Sequence, residues 1–250
     1  AAWGRVRDWR LGQLQQASNA ELYLDSRLSA EDILTYGIPH VAIATGASWR
    51  DDGVGRVHRD PLAYLGEGVT IGVNALLEKG VSAITNDGPV VVFDDDRYYM
   101  ASVLAELIVS SGRAVTFVTP APIVAPWKEH TLEQTRVQLR LIEKGIEIVA
   151  LHELAGRTSN TVDIACSYSG KRRTIDCATL VPVTSRIPSD ALWRDLIAMK
   201  DQWADHGLET VERIGDCFSP GIIAAATYAG HSYARSRNKP ALEDNFDIYR

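Results

Sequence analysis

Apolar and polar positions change period several times along the chain. Trp3, Val6, Leu11 and Leu14 fall at loosely helical spacing and predict a helix over 3–16. Residues 21–24 read as a short strand. Ser29, Glu31 and Asp32 stand ahead of Ile33 and Leu34, a capping serine with acids in the first turn, so a helix is expected over 28–36. The run His40–Thr45 has the composition of a buried strand. From Ser48 to Gly68 glycine and charge dominate and predict a loop, and residues 73–77 read as a helical turn. The pattern then alternates: strand 89–93, helix 98–110 closed by Gly112, strand 114–118, amphipathic helix 131–144 closed by Gly145, strand 146–150. That order predicts a parallel sheet with crossover helices. Residues 162–168 and 172–176 flank Ser169-Gly170-Lys171 as a hairpin. Strand, helix and strand follow over 180–184, 190–199 and 211–214, then a helix of small residues over 220–235.

Two strand ends carry candidate chemistry. Ile43-Ala44-Thr45-Gly46 closes a strand on glycine, which permits a positive φ or a close approach. Ile214-Gly215-Asp216-Cys217 closes another just before a helix. Helix N-termini attract phosphate, and a carboxylate there can accept from a ribose or ribityl hydroxyl, or cap the helix. A third position is informative by what it lacks. A dinucleotide fold places GxGxxG after its first strand, for a tight turn, backbone approach to pyrophosphate and close helix packing. After strand 89–93 the three glycine slots hold Asp94, Asp96 and Tyr99, with Asp95 adding a third carboxylate. Acids repel a pyrophosphate and a tyrosine bars close packing. The next strand end, Val118-Thr119-Pro120, offers neither an acid for a ribose nor a base for a 2′-phosphate. This NAD(P)-type loop is predicted to be degenerate and non-binding.

Composition narrows the remaining classes. A chain of 250 residues, 46% apolar, buries a core without staples. Its net charge of −6 argues against nucleic acid as a partner. Its apolar runs fall far short of the ~20 residues of a membrane span, so no membrane association is expected. Three cysteines without CxxC and six histidines without HxH or HExxH predict no metal site and no iron–sulfur cluster held by this chain. The thiols are expected reduced, in a cytoplasmic protein. No GxSxG occurs, and no catalytic residue is assigned. The chain opens Ala-Ala-Trp without a methionine and is read as a cut through a longer polypeptide. Trp3 and Trp9 flank Arg5, Arg7 and Arg10. This is a solvated helix or a docking surface, with Arg5 and Trp9 the candidate contacts.

The predicted fold class is α/β, with two Rossmann-like units of the FAD/NAD(P)-binding type, the second inserted in the first. Residues 1–86 plus 179–250 are expected to form the outer unit and 87–178 the inserted one. Three runs, ATGASWRDDGVGR at 44–56, VVVFDDDRYYM at 90–100 and RIGDCFSPGIIAAATYAGHSYAR at 213–235, give the chain a resemblance to a known family. It resembles the carboxy-terminal half of the trimethylamine dehydrogenase, histamine dehydrogenase and N-methyl amino acid demethylase group of flavoproteins.

The resemblance implies that FAD or ADP, an adenine-containing nucleotide, is held by Thr45, Gly46, Gly215 and Asp216. It implies that FMN and a 4Fe-4S cluster belong to an N-terminal barrel domain absent here, as is the first GxGxxG unit of the outer domain. It further implies an external acceptor such as electron-transferring flavoprotein, a homodimer at full length, and oxidation of an amine or removal of an N-methyl group in the whole enzyme. Ser185 stands where the family usually has glycine. Two alternatives are an NAD(P)H-dependent reductase of the dienoyl-CoA reductase type and a non-catalytic nucleotide-binding or docking module.

Overall fold

The computed structural model describes residues 4–237. In chain order these form α1 (Gly4–Gln16), α2 (Ala30–Thr35), β1 (His40–Ile43), β2 (Ala47–Trp49), β3 (Val69–Thr70), α3 (Val73–Lys79), β4 (Val90–Asp94), α4 (Met100–Val109), β5 (Val115–Val118) and α5 (Gln134–Glu143). There follow β6 (Glu147–Val149), β7 (His152–Arg157), β8 (Thr161–Cys166), β9 (Arg172–Asp176), β10 (Thr179–Val183), β11 (Arg186–Pro188), α6 (Ala191–Ala198), β12 (Thr210–Arg213) and α7 (Ile223–Arg237). Packing divides the chain into two compact units. Of the described residues, 4–43 with Asp190–Arg213 form one, and Ala44–Ser189 with 214–237 form the other.

In the first unit β1 and β12 pair in parallel, from His40 opposite Thr210 to Ile43 opposite Arg213. The cap expected at Ser29 forms reciprocally. The Ser29 hydroxyl accepts from Asp32 N at 3.2 Å, and the Asp32 carboxylate accepts from Ser29 N at 2.8 Å. Asp190 accepts from Arg194 at 2.6 Å and from Arg213 at 2.9 Å, and the Arg213 guanidinium lies 4.1 Å over the Trp193 ring. Two expectations change. Only Ile43 of β1 is buried, because a sheet of two strands supplies few neighbours to cover a strand. Residues 21–24 form no strand, and Leu22, Tyr23 and Leu24 are exposed; their alternation has no neighbouring ladder to join. α1 buries none of its residues, and Trp3 lies outside the described residues.

The second unit is built on a five-stranded parallel sheet in the order β3-β10-β4-β5-β6. The alternation β4-α4-β5-α5-β6 is the one expected. Every residue of β4 is buried, as parallel strands covered on both faces require. Val90 and Val92 pack with Leu104 and Ile108 of α4 and Leu141 of α5. Val91 and Phe93 pack on the opposite face with Leu154, Val162 and Ile164. That second cover is an antiparallel sheet, β7-β8-β9, of which only the β8–β9 hairpin was expected. The loop expected over 48–68 contributes to β2, which pairs antiparallel with β11, and also holds a short 3₁₀ turn over Ala63–Glu67. β10 runs beside β4 in the central sheet, with Thr179 opposite Val90 and Val183 opposite Asp94. Short apolar strands look alike in sequence, so the sheet that β10 joins is settled only by which edge lies free.

Asp94 ends β4 and is buried, with one oxygen accepting from Arg97 N at 2.8 Å and the other without a partner. Burial pushes its carboxyl up to about 8, with the neighbouring Asp96 and Asp95 adding to the shift against Arg97. A carboxyl with a folded value above its unfolded value binds its proton more tightly when folded. Its stabilising effect is therefore complete below about pH 4 and is lost as pH rises towards 8. The urea midpoint should fall between pH 5 and pH 8.5, and Asp94→Asn should flatten that slope. An unchanged slope in the Asp94→Asn protein would show that another group is responsible.

Candidate functional site

The two glycine-terminated strand ends converge in the second unit. Gly46 has φ +78° and Gly215 φ +60°, the left-handed region where glycine is at ease. The Thr45 hydroxyl donates to Ser189 O at 2.5 Å and lies 3.2 Å from the buried Cys217 Sγ, joining the first strand end to the turn that carries Asp216. Ser189 N donates to Gly46 O at 2.9 Å. A Cβ on Gly46 would meet no atom within 4 Å, so its backbone borders open space. Asp216 accepts from Gly221 N at 3.0 Å through one oxygen and from Arg186 Nη1 at 2.8 Å through the other. Arg186 also donates to Gly221 O at 3.0 Å, and its guanidinium lies 5.2 Å over the Trp49 ring. Asp216 thus stands just ahead of α7, which begins at Ile223 rather than at the expected Pro220.

At the end of β4 the three acids take three different environments. Asp94 points into the interior as described. Asp95 is wholly buried and accepts from Val57 N at 2.8 Å and from Arg97 Nη2 at 3.3 Å. Asp96 alone borders an open cleft. Burial raises its carboxyl, while Arg186 and Arg56 pull it back down. The turn spends its own backbone groups as well: Asp95 N and Asp96 N both donate to Val183 O, at 2.9 and 3.0 Å. Arg97 takes φ +64° to make it. Tyr99 precedes α4 with its ring packed edgewise against Tyr98 at 5.2 Å, and Lys128 Nζ lies within 6 Å of both rings.

The cleft that Asp96 borders has a volume of about 270 Å³ and brings Asp96, Tyr98 and Tyr99 together with Trp49, Arg186 and Asp216. A wider depression of about 700 Å³ lies at Asp87, Pro89, Arg113 and Ala114, before the first residues of β4 and β5. In open parallel sheets ligands bind beyond the carboxyl ends of the strands, so the smaller cleft is the candidate site. In the depression, Arg113 is also committed to the carbonyls of Asn86 and Ile84 at 2.8 and 3.1 Å.

Sequence reasoning missed Arg186 and Trp49. Nothing local marks an arginine that meets its carboxylate thirty positions further on. On α1, Arg5 and Trp9 are both exposed one helical turn apart. Among the described residues, no group of three His, Cys, Asp or Glu side chains could hold a metal ion, and no helix is long and apolar enough to cross a membrane. The three cysteines are unpaired.

No model of a known protein family matches the chain. Dimethylamine dehydrogenase of Hyphomicrobium sp. (strain x) is 31% identical over an alignment of 257 positions, gaps included, which covers 93% of this chain and 34% of that protein. The structure of histamine dehydrogenase from Rhizobium sp. 4-9 superposes with a TM-score of 0.93 at 41% identity, over 98% of this chain and 38% of that one. That of 6-hydroxypseudooxynicotine amine oxidase from Pseudomonas geniculata N1 gives 0.89 at 38% identity, over 95% and 35%. Thioredoxin reductase of T. acidophilum, at 16% identity and a TM-score of 0.53, shares the fold alone, a mixed α/β architecture of Rossmann type. The chain is therefore homologous to dimethylamine and histamine dehydrogenases, members of the trimethylamine dehydrogenase group, and spans about a third of their length.

Proposed function

We propose that the chain is the nucleotide-binding and electron-transfer part of a larger flavin-dependent enzyme that oxidises an amine at its C–N bond. The observation that carries this reading is the convergence of Thr45–Gly46 and Gly215–Asp216 on one corner, in a chain similar along almost all its length to amine dehydrogenases. The residues fit an adenine-containing nucleotide, FAD or ADP. Gly46 lets a ligand approach the backbone. Asp216 is partly exposed, and each of its oxygens keeps a lone pair beyond its one protein partner for a ribose or ribityl hydroxyl. Thr45 accepts as well as donates. Bound there, the nucleotide would supply an adenine anchor, or with FAD a second flavin redox centre.

In this reading FMN and a 4Fe-4S cluster sit in a barrel within the remaining two thirds of the length seen in the relatives. Electrons leave for an external acceptor such as electron-transferring flavoprotein, and α1, through Arg5 and Trp9, is a docking surface. The full-length protein is a cytoplasmic homodimer. The unit that ends β4 in Asp94, Asp96 and Tyr99 is a dinucleotide fold that holds no dinucleotide.

The full-length polypeptide carrying this chain should lose its flavin absorbance on anaerobic addition of a small amine. It should also release an adenine nucleotide on denaturation. Asp216→Ala should weaken that nucleotide by roughly tenfold or more, the usual cost of losing a hydrogen bond to a charged group. Undiminished nucleotide content in the variant would remove Asp216 from the site.

Titration of NADH and NADPH should show no binding in the micromolar range. Asp95→Ala should not create any, since Asp94, Asp96 and Tyr99 still fill the glycine slots. Micromolar binding mapped to Asp94–Tyr99 would replace this reading with a pyridine-nucleotide-dependent reductase.

A further inference from the structure

We infer that the turn after β4 is occupied from within: the loop over 50–60 covers it as an internal ligand, latched by Asp95. In a working dinucleotide fold the turn supplies N–H donors and the phosphate supplies acceptors. Here that polarity is reversed. The turn supplies the acceptor, the Asp95 carboxylate, and the loop supplies the donor, Val57 N at 2.8 Å. The buried charge is balanced by Arg97, as a carboxylate away from water requires.

The backbone at Gly55 lies directly on this carboxylate. A Cβ there would stand 2.4 Å from Asp95 Oδ2 and 3.0 Å from Thr184 Cβ. Gly55 N donates to His58 O at 2.8 Å, which closes the loop on itself. The end of β10 fastens it from the other side. The Ser185 hydroxyl donates to Val54 O at 2.6 Å, and Arg50 N donates to Ser185 O at 3.0 Å. Inside the loop Asp52 accepts from Val54 N at 3.2 Å and pairs with Arg50. The runs at 44–56 and 90–100, which sequence reading treats as separate motifs, are thus two halves of one contact. Ser185 has a role that glycine at that position could not fill.

The inference deepens the proposed function, since it gives the physical occupant of a turn that reading leaves without a dinucleotide. The two fail separately: nucleotide content reports the Asp216 corner, and backbone exchange reports the loop. Hydrogen exchange on the unmodified protein should show a protected Val57 amide. Asp95→Ala removes the acceptor, and Gly55→Ala breaks the fit while keeping the carboxylate. Each should speed exchange over 54–58 by about tenfold or more, the effect of an unmade buried hydrogen bond on local opening. Arg56 and Arg59 are exposed already, so each variant should speed cleavage by trypsin there by freeing the backbone around them, while β4, β5 and β10 keep their protection. Asp95→Asn retains an oxygen for Val57 N and should restore much of the protection. An unprotected Val57 amide in the unmodified protein overturns the inference whether or not the variants fold. So does unchanged exchange over 54–58 in both Asp95→Ala and Gly55→Ala.

Discussion

A carboxylate buried at the end of a central parallel strand has to find donors or keep its proton, and much of the second unit follows from how that demand is met. β4 is covered on both faces, so its C-terminal end delivers Asp94 and Asp95 into surroundings without water. Asp94 meets the demand by burial-driven retention of its proton. Asp95 meets it with Arg97 and with a loop amide. Each solution fixes backbone elsewhere. Arg97 is drawn into a left-handed conformation, and a glycine-containing loop is brought down onto the sheet end. Asp96, the third acid, is left to border the cleft under the influence of Arg186 and Arg56.

The corner at Asp216 depends on a second charged pair. Arg186 joins three parts of the chain: it stacks on Trp49 after the first strand end, neutralises Asp216 after the second, and holds Gly221 O ahead of α7. Single exposed ion pairs contribute little, but this arginine combines a stacked face with hydrogen bonds to two acceptors and is largely covered. Its geometric effect exceeds its energy, because it sets the wall of the cleft that Trp49, Asp96 and Asp216 line with it.

The covers of the central sheet hold it independently of the turn that follows β4. The packing that holds β4, β5 and β10 comes from α4 and α5 on one face and β7-β8-β9 on the other. None of it relies on glycines at the sheet end, so acids and a tyrosine can follow β4 while the core stays closed.

Much of this architecture is legible in the sequence. The alternation from Val90 to Val149 carries its periods openly, because buried parallel strands are continuous apolar runs and their helices are amphipathic. The glycines at 46 and 215 and the acids at 94–96 announce their positions, and Ser29 announces its cap. What the sequence by itself could not decide is which distant groups meet. Whether β10 lies beside β4, whether β7 exists at all, whether Asp95 faces a ligand or a loop, and whether Asp216 is free or held by Arg186 depend on contacts between residues far apart in the chain. Local periodicity reports the face a residue presents. The partner on that face is chosen only when the sheet closes and every buried polar group has to be satisfied at once.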